Sequence, residues 1–186
     1  LDFLPGGKIY MFETIDYLQF GSKIQKQAYE AITSLSIMEN LSEFNPILCG
    51  TLPIGIDIEG SDLDIIMEVY NFNKFEQKIK SLFYNKEKFI LRNTMINNTP
   101  TVIANFFFDG FEFELFGQSL PITQQYAFLH MVIENYLITN NPTIRDEVIL
   151  LKKHGMKTEP AFCKVLGLEG NPYEVLIDFG KHKGII

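Results

Sequence analysis

The sequence predicts an α/β protein of the α+β type, with strands gathered in the middle of the chain and helices at its end. Three observations predict it. Helical and strand-like periodicities alternate between residues 22 and 96. Asp109-Gly110 separates two apolar, strand-like runs, as expected of a two-residue hairpin whose turn needs positive φ. Beyond Pro121 the remaining periodicity is helical.

Taken in order, Ile24, Ala28, Ile32 and Leu35 recur at helical spacing, so residues 22–39 read as an amphipathic helix with Ser22 near its cap. Pro46 opens the apolar run Ile47-Leu48-Cys49, a short buried strand that stops at Gly50-Thr51. A loop carrying Pro53, Gly55 and Gly60 follows. Ser61 to Val69 then suits a strand, and its period of two places Asp62 and Asp64 on one face. Asn73 can cap a helix whose buried side is Phe75, Ile79, Leu82 and Phe83, and residues 88–96 return to strand before a turn at Asn97-Asn98. The hairpin pairs Thr101–Phe108 with Phe111–Phe116. Segments 123–138, 143–154 and 158–167 read as helices, with Pro142 at one start and Gly155 after one end.

This pattern divides the chain into a core over residues 11–120 and a helical segment over 121–186 packed on it as one structural unit. Residues 1–10 look unlike the start of a domain; Met11 suits an initiator, which makes Leu1 to Tyr10 an upstream or cloning-derived extension. No apolar run approaches the ~18 residues of a membrane span, and no signal peptide precedes the fold. Cys49 and Cys163 are too few for a disulfide scaffold, so a reducing cytoplasm is the expected setting. A net charge of -7 argues against an extended nucleic-acid surface and leaves room for a small polyanion in one basic pocket.

The chemistry concentrates in Leu48-Cys49-Gly50-Thr51, a ten-residue spacer, and Asp62-Leu63-Asp64-Ile65. A glycine lets backbone approach a triphosphate, and two carboxylates on one face can hold Mg²⁺ against its oxygens. Glu112 and Glu114 share one face of the second hairpin strand. Residues 27–73 and 93–129 carry all of these acids without one Lys, Arg or His, so their convergence would call for a bound divalent cation.

The Gly50-to-Asp64 pattern resembles the signature of polymerase-beta-like nucleotidyltransferases, with Thr51 standing where that signature has Gly or Ser. The likeness extends through Cys49-Gly50-Thr51-Leu52-Pro53-Ile54-Gly55-Ile56-Asp57, Phe111-Glu112-Phe113-Glu114-Leu115-Phe116-Gly117-Gln118 and Lys157-Thr158-Glu159-Pro160-Ala161-Phe162. Together these look like a bacterial family of unknown function within that superfamily. The resemblance implies a nucleotidyltransferase-like mixed sheet flanked by helices. It implies Asp62, Asp64 and Glu114 as catalytic, metal-binding acids, with Glu112 the alternative to Glu114, and two Mg²⁺ ions with a nucleoside triphosphate as substrate. It further implies phosphate contacts from Gly50, Thr51 and Ser61. The acceptor would be a hydroxyl of a small molecule or protein; a nucleotide-binding or regulatory module without turnover is the alternative.

Among the late basic residues Arg145, Lys152, Lys153, His154, Lys157 and Lys164, the lysines 152 and 157 are the candidates for phosphate contact, and Arg92 is another. His130 and Glu134 lie four apart on one helix and read as a surface or packing pair. Cys163 reads as a small buried residue.

Overall fold

In the computed structural model, which describes residues 10–186, Ser22 starts the first helix as expected. Its N–H donates to Gln25 Oε1 at 2.8 Å, and its Oγ accepts from the Gln25 N–H at 3.3 Å, a reciprocal capping box. The helix α1 (Lys23–Ser34) is shorter than the expected 22–39. Ser36 takes a left-handed φ of 48°, which interrupts the helical path before the single turn α2 (Ile37–Asn40). The expected extension over residues 1–10 lies, except for Tyr10, outside the described residues.

Five strands form one mixed sheet: β1 (Ile47–Cys49), β2 (Leu63–Glu68), β3 (Glu87–Ile96), β4 (Thr99–Phe108) and β5 (Phe111–Gln118), in the spatial order β1-β2-β5-β4-β3. The β2-β5 contact is parallel and the other three are antiparallel. Both two-residue turns carry the positive φ that their sequences allow, 48° and 58° at Asn97-Asn98, and 49° and 82° at Asp109-Gly110. Between β2 and β3 runs α3 (Phe72–Phe83). Its cap is Asn71, whose Oδ1 accepts from the Lys74 N–H at 3.0 Å, so the expected cap Asn73 falls inside the helix.

Alternation along β2 and β5 sorts the residues between two cores. Leu63, Ile65, Met67, Phe113 and Leu115 face α1 and α3, where they join Ile32, Phe75 and Ile79. Phe106 stacks between Phe83 and Phe113, with ring centroids 4.9 and 5.0 Å away. The opposite face presents Ile66 and Phe116 to the C-terminal helices α4 (Tyr126–Asn140), α5 (Pro142–Lys153), α6 (Thr158–Leu166) and α7 (Pro172–His182). The last of these helices was not expected. Its start repeats the Asn-Pro signal of α5: Asn171 Oδ1 accepts from the Tyr173 N–H at 3.2 Å, as Asn141 Oδ1 does from Thr143. No helix among the described residues is long and apolar enough to cross a membrane.

The link from sheet to helices is pinned by side chains. Gln125 Nε2 donates to the carbonyls of Met67 and Leu120, each at 3.0 Å, and Glu68 Oε1 accepts from the Ile122 N–H at 2.8 Å. The helices are thereby held over the sheet face that carries Asp64 and Glu114, leaving a cavity of about 640 Å³ between the two layers.

Candidate functional site

Strand register brings the acids together. Asp64 and Glu114 are direct partners on the parallel strands β2 and β5, and Asp64 is also the partner of Cys49 on β1. Gly50 follows β1 with φ 80°, and a Cβ built there would stand 2.3 Å from Asp64 Oδ2. Glycine is therefore required twice, by the backbone conformation and by the approach of the carboxylate. The glycine of the motif makes room for the acid before it makes room for any ligand.

The loop between Gly50 and Asp62 is held by three long-range donors. Gln25 Nε2 donates to Leu52 O at 2.9 Å, Arg145 to Gly55 O at 2.7 Å and Lys152 Nζ to Ile56 O at 2.8 Å. Within it, Thr51 Oγ1 donates to Ser61 Oγ at 3.5 Å, and Ser61 Oγ accepts from the Ile58 N–H at 3.0 Å.

Of the residues expected at the site, Gly50, Thr51, Asp62, Asp64, Glu114 and Lys157 line the cavity. Glu112, Ser61 and Lys152 do not. Ser61 is spent on closing its own loop. Lys152 is buried, and its ammonium donates to the Ile56 carbonyl. Burial lowers its pKa, while Glu134, Asp57, Glu159 and Asp62 pull the other way. Arg92 does not reach the cavity wall; it donates to Asn105 Oδ1 at 2.7 Å and lies 3.7 Å from Glu114 Oε2. Asn105 Nδ2 donates to the same Glu114 oxygen at 3.2 Å. Cys163 is buried as expected, with its thiol donating to Pro172 O at 3.6 Å and its pKa raised by burial.

The acidic wall is under electrostatic stress. Burial, then the charges of Asp62, Glu114, Glu159 and Glu112, push the Asp64 carboxyl from 3.8 up to about 8. Oxygen-only donors, an uncompensated carboxylate and a glycine cradle beside it suit a hard divalent cation. Among the described residues, however, no three His, Cys, Asp or Glu side chains are arranged to hold a metal ion as they stand, and Glu114 accepts from Asn105 and lies 3.7 Å from Arg92.

The facing wall belongs to the helices. His130 and Glu134, expected as a surface or packing pair, are both buried and both line the cavity. His130 bonds the Tyr173 carbonyl rather than Glu134, and Glu159 lies opposite its other ring nitrogen. Glu159, Tyr126 and Tyr173 also line the cavity. The i,i+4 spacing of His130 and Glu134 was the available signal; what it lacked was the knowledge that α7 covers that side of α4.

No curated protein sequence matches the chain, but solved structures match its fold. One is the polymerase core of TRAMP, an RNA surveillance complex, with a TM-score of 0.54 at 12% identity, over 88% of this chain and 62% of that one. Another is Cid1, described by its RNA terminal uridylyl transferase activity, at 0.52 and 12%, over 75% and 47%. A third is the Cid1 poly(U) polymerase with MgGTP bound, at 0.51 and 12%, over 68% and 41%. The chain thus spans less than two thirds of each of these proteins, and at such identity the likeness establishes a nucleotidyltransferase-like fold. Residues 30–179 match the domain of unknown function DUF4269, and the chain belongs to that family.

Proposed function

We propose that this chain transfers a nucleoside monophosphate from a nucleoside triphosphate to a hydroxyl of a small molecule or protein. The observation that carries the reading is the in-register pairing of Asp64 with Glu114 beside Gly50, at the cavity between sheet and helices. Asp62 and Asp64 would hold two Mg²⁺ ions, with Glu114 completing the set once its carboxylate turns from Asn105 and Arg92. Glu112 lies off the cavity wall, which favours Glu114 over it. Magnesium bound there supplies neutralisation of the triphosphate and polarisation of its α-phosphoryl group.

The chain's own groups do the rest. Gly50 and Thr51 present backbone and hydroxyl to the phosphates, and Lys157, at the start of α6, meets them from the helical side. The acceptor hydroxyl attacks the α-phosphorus, the new P–O bond forms as the α–β bridging P–O bond breaks, and pyrophosphate leaves. The hydroxyl proton passes to Glu114. The cavity volume, about 640 Å³, suits a nucleotide with a small acceptor.

Labelled nucleoside triphosphates, titrated with and without Mg²⁺ and then offered panels of hydroxylated metabolites and antibiotics, test this directly. Magnesium-dependent binding lost in Asp62→Asn/Asp64→Asn, with transfer of label to an acceptor, is the expected result. Binding without transfer to any acceptor would identify a nucleotide-binding module, and no binding by the folded wild type would refute the reading.

A further inference from the structure

The cavity has a second acidic wall that nucleotidyl transfer from a triphosphate does not use. Glu134, on α4, is 3% exposed and lines the cavity, yet its Oε1 has no hydrogen-bond partner. Leaving a buried carboxylate oxygen unpaired is costly, so the site is built around something that donates to it. The nearby Lys152 ammonium bonds the Ile56 carbonyl and makes no hydrogen bond to that oxygen.

His130, one turn earlier on α4, repeats the condition. Its Nε2 lies 2.9 Å from the Tyr173 carbonyl, an acceptor, so Nε2 carries the proton. In the neutral ring Nδ1 is then a lone pair, facing Glu159 Oε1 at 3.6 Å, another acceptor. Glu134, Glu159 and His130 thus line one space, and the buried Glu134 Oε1 has no partner there. Burial, then the neighbouring Glu159, raise the Glu134 pKa well above the ordinary glutamate value, while the Lys152 ammonium pulls it down.

We propose that Glu134, Glu159 and His130 Nδ1 form a subsite for a primary ammonium group, making the acceptor an amine-bearing small molecule. An ammonium group offers three donors and one positive charge, which matches three acceptors in an acidic pocket. Lys157 and bound magnesium balance the triphosphate on the sheet side; the helical carboxylates are left for the acceptor. This rests on the nucleotidyltransferase reading for the name "acceptor", but not for the amine site itself.

Binding is measured by saturation-transfer NMR and calorimetry with matched probes, glucosamine against glucose and 2-deoxystreptamine against myo-inositol. At least one amine is expected to bind tenfold or more tightly than its neutral counterpart, and to lose that advantage in Glu134→Gln, with MgATP binding unchanged. Circular dichroism checks the fold; should Glu134→Gln not fold, Glu159→Gln takes its place with the same expected loss of amine preference. Equal binding of amines and neutral counterparts, or an advantage that survives both substitutions, overturns the proposal. MgATP binding without amine preference leaves the nucleotidyltransferase reading standing alone; Glu134-dependent amine binding without MgATP binding does the reverse.

Discussion

Replacing Asp64 by Asn should stabilise the metal-free protein, and do so increasingly as pH rises. The Asp64 carboxyl moves from 3.8 to about 8 on folding, so the folded state favours its protonated form. The sign follows: this group's contribution is fully favourable below the unfolded value and is lost as pH rises through the folded one. The full shift corresponds to a ceiling of roughly 6 kcal/mol at 1.36 kcal/mol per pKa unit. Asp64 borders an open cavity and retains some exposure, so solvent screening reduces this to about 2 to 3 kcal/mol. Urea unfolding in EDTA at pH 5 and 8.5 isolates the effect, because an amide's own hydrogen-bonding differences do not vary across that range. The advantage of Asp64→Asn over wild type should grow by about 2 kcal/mol between the two pH values, and 10 mM MgCl₂ should shrink it by stabilising only the wild type. An advantage that stays constant with pH would refute the picture of a buried carboxylate repelled by its neighbours.

Gly50→Ala, which forces a Cβ to 2.3 Å from Asp64 Oδ2 at a φ of 80°, should cost about 2 kcal/mol in urea melts and abolish magnesium-dependent nucleotide binding. Lys152→Met keeps the stem but removes the donor to Ile56 O, and should lower stability by about 1 to 3 kcal/mol while changing triphosphate affinity less than Lys157→Met does. Phe106→Ala, which empties the middle of the Phe83-Phe106-Phe113 stack, should cost about 3 to 5 kcal/mol and lower Tm by roughly 10 °C in calorimetry, with no direct effect on the cavity.

Local chemistry explains which parts of the fold were legible in the sequence. Asp109-Gly110 and Asn97-Asn98 announce their turns because few residues tolerate the positive φ they adopt. The alternation of β2 and β5 placed Asp64 and Glu114 each on one face, and the parallel register then made them neighbours. That register is long-range, with α3 and the β3-β4 hairpin lying between the two strands, so no local pattern encodes it. The break at Ser36 was hidden for a different reason: the apolar helical spacing continues to Leu35, and nothing but Ser36's own left-handed backbone marks the end. Lys152 read as a solvated or phosphate-binding lysine because its burial depends on the 52–60 loop folding over α5. The Asn171-Pro172 start of α7 was legible, since it repeats the Asn141-Pro142 signal, and missing it also concealed the burial of His130.

The two walls of the cavity follow from one structural choice. A sheet whose Asp64 face is left open could bind magnesium and triphosphate, but it would set no condition on an acceptor. Here Gln125 and Glu68 hold the start of α4 against β2, and the Tyr173 carbonyl at the start of α7 fixes the ring of His130. Those bonds set Glu134 on the wall opposite Asp64, and Glu159 on α6 lies near enough to contribute to raising the Asp64 pKa. Coupling across the cavity therefore links the walls: a cation bound on either side lessens the negative field felt at the other. Magnesium alone on the sheet side and an ammonium on the helical side should thus weaken each other's binding, a negative linkage that acts equally in both directions.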